Sequence, residues 1–395
     1  MTAKTNLAGA DNFVLQEAIS AYSDEAYTNA KKLSGTAIVG DNPQIDTSTE
    51  TFVGQVRWYK PLNPTVNVAS LTDSTDGTKT TYGTDMLKYI KTVRTHGAGK
   101  VNMQQVVTQV DGLAKIGRDF GETRAQDEHD AVLAVLRGVA LSEALNGAAA
   151  ASGATGLGGQ TFTNDPADKK YGFYVDLGAS KAVVDASTTA QGAARAEGFL
   201  RAFGMAYKDY EPEYAYLITS PEMMASLRSA NLVDQDRVAD GNIEFSTIFQ
   251  GKFRLIQTRA SQGFSSAEMT KINTGAGVDI VGTKVSFIVL PGSLAMKQLA
   301  VPEPTEIERK AAAYKGGGTT DVWHRWGYVL APAGYDWSGP EDAFPTNADY
   351  VSCMEGSTKV ALTSVVSGTL ASTTGMWKRK TSSALSLGIL PVFHS

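Results

Sequence analysis

One stretch limits the folds open to this chain more than any other. It is GRDFGETRAQDEHDAVLAVLRGVALSEALNG, read as a helix from Arg118 to Asn146. Val132, Leu136, Val139 and Ala140, with Leu133 and Leu145 flanking, recur at spacings of three and four and so form one apolar stripe. Acids come early, and Gly147 stands where a helix stops. At 1.5 Å per residue such a helix is about 40 Å long, so the rest of the chain must supply a core long enough to cover it.

The flanking sequence is of other kinds. Residues 1–50 join a short helical stretch, Phe13 to Lys32, to the polar run GDNPQIDTSTE, which suits an arm better than a core element. Next, TFVGQVRWYKPL carries Phe52, Val53, Val56, Trp58 and Tyr59 and favours a strand; MLKYIKTVRT favours a returning one across a Thr/Asp/Gly/Pro-rich tip. Twelve extended residues reach roughly 40 Å, and an isolated hairpin is only marginally stable in water, so this ribbon needs something outside itself to lie on.

After the long helix, AAAASGATGLGGQ reads as a small-residue linker, and a second helix is expected within AQGAARAEGFLRAFGMAYKDY. YAYLITSPEMMASLRSANLVD predicts a strand entering a helix, Ser220 as its cap and Pro221 in its first turn. Further strands are expected in FQGKFRLIQTR, VDIVGTKVSFIVLP, DVWHRWGYVLAP and ALSLGILPVFH. Strands and helices mix without strict alternation, which predicts an α+β fold, with no internal repeat or heptad run.

Composition excludes several classes. With 42% apolar and 19% charged residues over 395 positions, disorder is not the main story, and a chain of this size needs neither disulfides nor metals for stability. The single cysteine, Cys353, fits a reducing compartment. Lys plus Arg number 36 against 41 Asp plus Glu, a net charge of −5, so the overall field disfavours tight nucleic-acid binding. The N-terminus lacks a signal-peptide pattern and apolar runs such as Val285 to Pro291 fall short of a bilayer span, so neither export nor membrane spanning is expected.

No catalytic motif emerges. HGAGKVN, around Gly99 and Lys100, and the glycines at 153–159 lack phosphate-loop spacing and are assigned to turns or linkers, as is the GGG at Gly316 to Gly318. His96, His129, His324 and His394 show no zinc-helix spacing. Asp127, Glu128, His129 and Asp130 cluster on the long helix, and their plainer reading is an exposed acidic first turn complementing the helix dipole. Cys353 has no basic partner near it in sequence and reads as a packing residue. The run Trp377 to Lys380, WKRK, could stack and pair with a nucleic acid, but a solvated or intersubunit face is the preferred reading. Trp58, Trp323, Trp326 and Trp337 are of the type enriched at interfaces, although sheet packing explains the pair at 323 and 326 equally well. The chain thus offers no catalytic, cofactor-binding or metal residues.

The order arm, hairpin, long helix, sheets, together with TEIERKAAAYKGGGTTDVWHRWGYVLAPAGYDWSG from Thr305 to Gly339, resembles the major capsid proteins of tailed bacteriophages, with the Hong Kong ninety-seven type of fold. The matching pieces are the charged positions between Glu306 and Arg309, the Gly-rich turn and its strand, and Pro332, Gly334, Tyr335 and Trp337. DGLAKIGRDFGETRAQDEHDAVLAVLRGV is similar to that family's spine helix and its lead-in, and YLITSPEMMASLRSANLV to a strand and helix of its axial domain. The resemblance spans about Phe52 to Gly339.

It implies an N-terminal arm at 1–50, an extended loop at 51–100, a peripheral domain at 101–180 and 301–345, an axial domain at 181–300, and a C-terminal extension at 346–395 returning as a strand. It also implies a non-enzymatic shell protein without cofactors, forming pentamers and hexamers in an icosahedral virion head assembled in the bacterial host's cytoplasm. Scaffolding, portal and possible decoration proteins would be partners, with double-stranded DNA enclosed non-specifically and no membrane involved. Residues from Asn347 to Thr374, rich in Ser, Thr and Gly, are expected to be an insertion or surface feature. A start at Met1 speaks against removal of an N-terminal scaffolding region. The alternatives weighed are an encapsulin-type compartment of the same fold and an enzyme with a metal held by Asp127, Asp130 and His324.

Overall fold

The computed structural model describes residues 3–31, 33–59, 84–101, 112–148, 173–176, 198–200, 202–204, 206–207, 212–229, 232–240, 243–258, 263–276, 280, 282–310, 318–365, 373–380 and 387–394, and the architecture below is that of these residues. The hairpin tip, the glycines at 153–159 and the small-residue linker beyond Ala148 lie outside them.

Two long helices set the frame. Helix α1 spans Ala3–Ala30 and α2 Gly112–Ala148, 37 residues or about 55 Å. Both start earlier than predicted, α1 by ten residues and α2 by six. They run in the same direction. A Cβ on Gly117 would fall 2.9 Å from Tyr22, and one on Gly121 2.2 Å from the carbonyl oxygen of Ser23, so with Ala125 these residues make a small-residue stripe at intervals of four that lets α1 approach closely. Two shorter helices follow, α3 (Pro221–Ser229) and α4 (Ser266–Ala276). The Ser220 hydroxyl accepts from the Met223 N–H, the predicted cap. Ser265 and Glu268 exchange backbone and side-chain bonds in a capping box at the head of α4. The described residues among 198–206 are helical, as expected.

The strands are β1 (Val39–Gly40), β2 (Val53–Tyr59), β3 (Thr84–Val101), β4 (Val175–Asp176), β5 (Ala215–Thr219), β6 (Val233–Asp240), β7 (Ile243–Ile248), β8 (Phe253–Gln257) and β9 (Lys284–Val289). After them come β10 (Leu294–Gln298), β11 (Thr305–Lys310), β12 (Thr319–Pro332), β13 (Tyr335–Trp337), β14 (Cys353–Glu355), β15 (Thr358–Val360), β16 (Thr373–Gly375), β17 (Trp377–Arg379) and β18 (Ile389–His394). One sheet has the order β1-β10-β12-β3-β2, with β11 also on β12; the other runs β4-β18-β9-β5-β8-β7-β6 and mixes parallel and antiparallel pairs. Small sheets β13-β17 and β15-β14-β16 complete the α+β fold. The main core joins the C-terminal half of α2 to β5, β8, β9 and β18; Ile45, Val56, Tyr89, Leu299 and Val329 form a second cluster, and Ile19, Phe120 and Val322 a third.

Two local expectations are corrected and a third is refined. HGAGKVN is no turn: Gly97 and Gly99 lie inside β3, paired with Trp323 and Asp321, and a Cβ at either would come within 2.6 Å of those side chains. The glycines are there to seat a cross-strand indole and carboxylate. Asp127 to Asp130 are not a first turn, since α2 begins at Gly112, and Glu128 and His129 are buried. The segment after Asn347 is part surface and part core: Gly356 to Lys359 are exposed, whereas Tyr350, Cys353, Leu362 and Val365 are buried. Tyr350 is fully buried, stacked on Trp377, and its carbonyl oxygen would lie 2.0 Å from a Cβ on Gly138 of α2.

Candidate assembly surfaces

Strand β3 belongs to two structures at once. Its first part pairs antiparallel with β2, from Val53 opposite Ile90 to Tyr59 opposite Thr84; its second part, Lys91 to Val101, pairs with β12. The hairpin is therefore continuous through β3 with a packed sheet, and among the described residues β2 is that sheet's edge strand.

The root of the hairpin is clamped on both faces. On one, Tyr89 accepts from the Asp46 N–H at 2.8 Å, while Ile45 packs with Val56 and Tyr89. Lys91, its side chain wholly buried, donates to Asp46 Oδ2 at 2.7 Å, the Ser48 carbonyl at 2.7 Å and Thr51 Oγ1 at 3.2 Å. Those bonds compensate a buried ammonium, and the Lys91 hydrogen bond, followed by those from Ser48, holds the Asp46 carboxyl well below the usual range. On the other face the Lys88 N–H donates to Asp336, its ammonium meets Glu341 at 2.7 Å, and Phe52 meets Phe344 edge-on at 4.7 Å. Further along β3, Met86 is 43% exposed. Sequence patterning misses the clamp because a lysine in a strand reads as an outward residue.

Asp127 and Glu128 of α2 are consumed by packing. Asp127 accepts from Trp326 Nε1 at 3.1 Å and the Tyr328 hydroxyl at 2.9 Å, with Arg94 at 3.6 Å. Glu128 accepts from the Tyr27 hydroxyl at 2.6 Å and Gln298 at 2.8 Å. Burial first, then the carboxylates, push both tyrosine hydroxyls above their ordinary range. Asp130 bonds Gln126 on the exposed side, and His324 bonds Thr305, so Asp127, Asp130 and His324 do not converge. Among the described residues no group of three or more His, Cys, Asp or Glu could hold a metal ion. His394 bonds Ser286, and Cys353 is buried, its thiol pushed up to about 12 by burial and then by Glu268.

WKRK does not form a nucleic-acid face. Trp377 is buried 5.1 Å from Trp337, Arg379 reaches Glu143 at 3.4 Å and Lys380 reaches Asp336 at 3.3 Å, leaving Lys378 as the outward cation. Strand alternation inside a small two-stranded sheet produces this arrangement. Of the tryptophans read as interface residues, Trp326 and Trp337 are core, whereas Trp323 is 43% exposed on the outer face of β12; the side chain of Trp58 is outside the described set. Glu306 and Arg309 are three apart on a strand and so face opposite sides; Glu306 pairs instead with Arg325 at 2.6 Å.

Protein-family models and curated proteins give no match to the sequence. Among solved structures the chain is similar to the capsid of Ralstonia phage GP4 at 13% identity, covering 76% of this chain and 84% of that one, with a TM-score of 0.47. It is similar to the capsid of cyanophage P-SCSP1u at 13% identity, covering 72% and 81%, TM-score 0.44. The acidic stable capsid of Helicobacter pylori bacteriophage KHP30 matches at 8% identity over 92% and 91%, TM-score 0.44. All three are phage capsids. No described helix of this chain is long and apolar enough to cross a membrane.

Proposed function

We propose that this chain is a major capsid protein of a tailed bacteriophage, a non-catalytic tile that assembles into pentamers and hexamers of an icosahedral head enclosing double-stranded DNA. The observation that carries the reading is the hairpin: its root is fixed by Lys91, Tyr89 and Lys88, while β2 is an edge strand among the described residues and Met86 is exposed. A two-stranded ribbon gains the cover it lacks by lying on an adjoining copy, and head-to-tail contacts of that type close into rings. The motif order from Phe52 to Gly339 supports the same reading.

In this proposal residues 1–50 are an arm, 51–100 the extended loop, 101–180 with 301–345 the peripheral domain, 181–300 the axial domain and 346–395 a C-terminal extension. Scaffolding, portal and decoration proteins are the remaining partners, and the virion is the location. A net charge of −5 suits a shell that encloses DNA without gripping it. Electron microscopy of the full chain, alone and co-expressed with a scaffolding partner, should reveal capsomers or closed shells. A protein monomeric at high concentration under both conditions refutes the proposal, and particles filled with a cargo enzyme instead of DNA and portal point to the encapsulin alternative.

A further inference from the structure

The two faces of the sheet formed by β11, β12 and β3 differ. On one, Val322 and His324 are buried against Phe120 of α2. Strand alternation puts Glu306, Glu308 and Lys310 of β11 beside Asp321, Trp323 and Arg325 of β12 on the other. There the indole of Trp323 is exposed.

The indole is also held in place. Gly97 of β3 is its cross-strand partner, and a Cβ there would lie 2.6 Å from the ring; Gly99 stands in the same relation to Asp321. Glycine weakens a strand, and here two of them let side chains of β12 lie across β3. A ring fixed in this way loses little freedom when a partner settles on it, and an aromatic side chain rimmed by charges is the composition of an interface hot spot.

The charges around it are unequal. Glu306 is balanced by Arg325 at 2.6 Å, whereas Lys310 is shared between Asp321 at 3.3 Å and Glu308 at 3.4 Å. Two acids with one cation between them leave a negative surplus next to the indole. The hairpin carries the converse. Met86 and Arg57 are direct cross-strand partners, so they share a face, and both are exposed. Lys88 on that face is balanced by Glu341, while Arg57 forms no ion pair among the described residues.

We propose that the Trp323 face is the seat for Met86 and Arg57 of an adjoining copy's hairpin. This rests on the capsid reading and names the surface on which the ribbon lies. Within one chain the two patches cannot meet, because Met86 and Gly97 are eleven residues apart on the single strand β3, about 36 Å. Between copies the spacings agree. Cross-strand neighbours such as Met86 and Arg57 stand about 5 Å apart, and Asp321 and Trp323, two residues apart on β12, about 7 Å. With the Met86 thioether on the indole, the Arg57 guanidinium faces Asp321 and Glu308.

The test follows particle formation by the full chain, co-expressed with its scaffolding partner, by sedimentation and electron microscopy. Arg57→Glu and Glu308→Lys should each raise the concentration needed for particles about tenfold or more, and both changes in one chain should bring it back toward the parent's. Chains carrying Met86→Cys, co-assembled with chains carrying Thr95→Cys on the Trp323 face, should form the mixed disulfide on oxidation; Cys353 is buried and stays reduced. Single variants that assemble like the parent, or impaired ones that the double variant does not rescue, overturn this inference and leave the capsid reading standing. So do particles without the mixed disulfide, or with Thr95→Cys joined to a different polypeptide. A parent that forms no particles overturns both.

Discussion

The two halves of α2 are one continuous helix in two different environments. Around its C-terminal half nearly every position is buried: Ala131 to Leu133, Val135, Leu136 and Gly138 to Leu145 meet sheets, α4 and the Tyr350 segment on all sides. Arg137 is turned to Glu268 at 3.1 Å, and Glu143 is held by Arg379 and the Phe173 N–H. Along the N-terminal half the buried positions among the described residues are Gly117, Phe120, Gly121, Ala125, Glu128 and His129, one stripe covered by α1 and the sheet beneath. The difference teaches that one helix can be the enclosed axis of a body at one end and offer a single packed stripe to a neighbouring helix at the other.

Substitutions on the two halves break or sharpen this contrast. The largest effect is expected from Gly138→Leu, where the first added carbon would lie 2.0 Å from the Tyr350 carbonyl oxygen and 2.9 Å from Trp377 Nε1. Backbone cannot yield as a side chain can, so a loss of about 3 kcal/mol or more is predicted, seen as a steep fall in melting temperature or in soluble yield. Leu136→Ala should cost about 3 kcal/mol through a cavity in the main core. Phe120→Ala removes a larger buried side chain that packs on Ile19 of α1 as well as on Val322, His96 and His324 of the sheet, so part of its cost is expected to fall on the seating of α1. Proteolysis should therefore find α1 released while the body melts at a higher temperature than in Leu136→Ala, and equal melting of the two variants would erase the distinction between the halves.

Smaller effects are expected at the hairpin root and beyond. Lys91→Met keeps the buried stem and deletes the bonds to Asp46, Ser48 and Thr51; because the Asp46 side chain is 55% exposed and can rehydrate, chemical denaturation should register a loss of only about 1–2 kcal/mol. Glu306→Gln breaks an exposed pair with Arg325, and a change within about 0.5 kcal/mol is predicted by the same measurement.

How much of this was legible beforehand depended on whether a residue's partner lies nearby in sequence. The stripe from Val132 to Leu145, the Ser220 cap and the strands through Leu217, Ile288 and Tyr328 follow from local periodicity, and all are found. The Lys91 clamp, the burial of Glu128 and the insertion of Tyr350 against Gly138 depend on residues 40 or more positions away, which period and propensity do not encode. Gly97 and Gly99 mislead for the same reason, since a glycine that makes room for a cross-strand indole looks in one dimension like a turn. The hairpin was legible as a pair of strands, but its continuity with the packed sheet through β3 was not.

The most direct measurement of the central claim is the reactivity of a Met86→Cys thiol on the outer hairpin, followed by maleimide labelling and cross-linking as the protein is concentrated with its scaffolding partner. The account predicts rapid labelling in dissociated chains, then protection together with cross-links between copies as particles form. Equal labelling at every concentration, with cross-links confined to single chains, would contradict it.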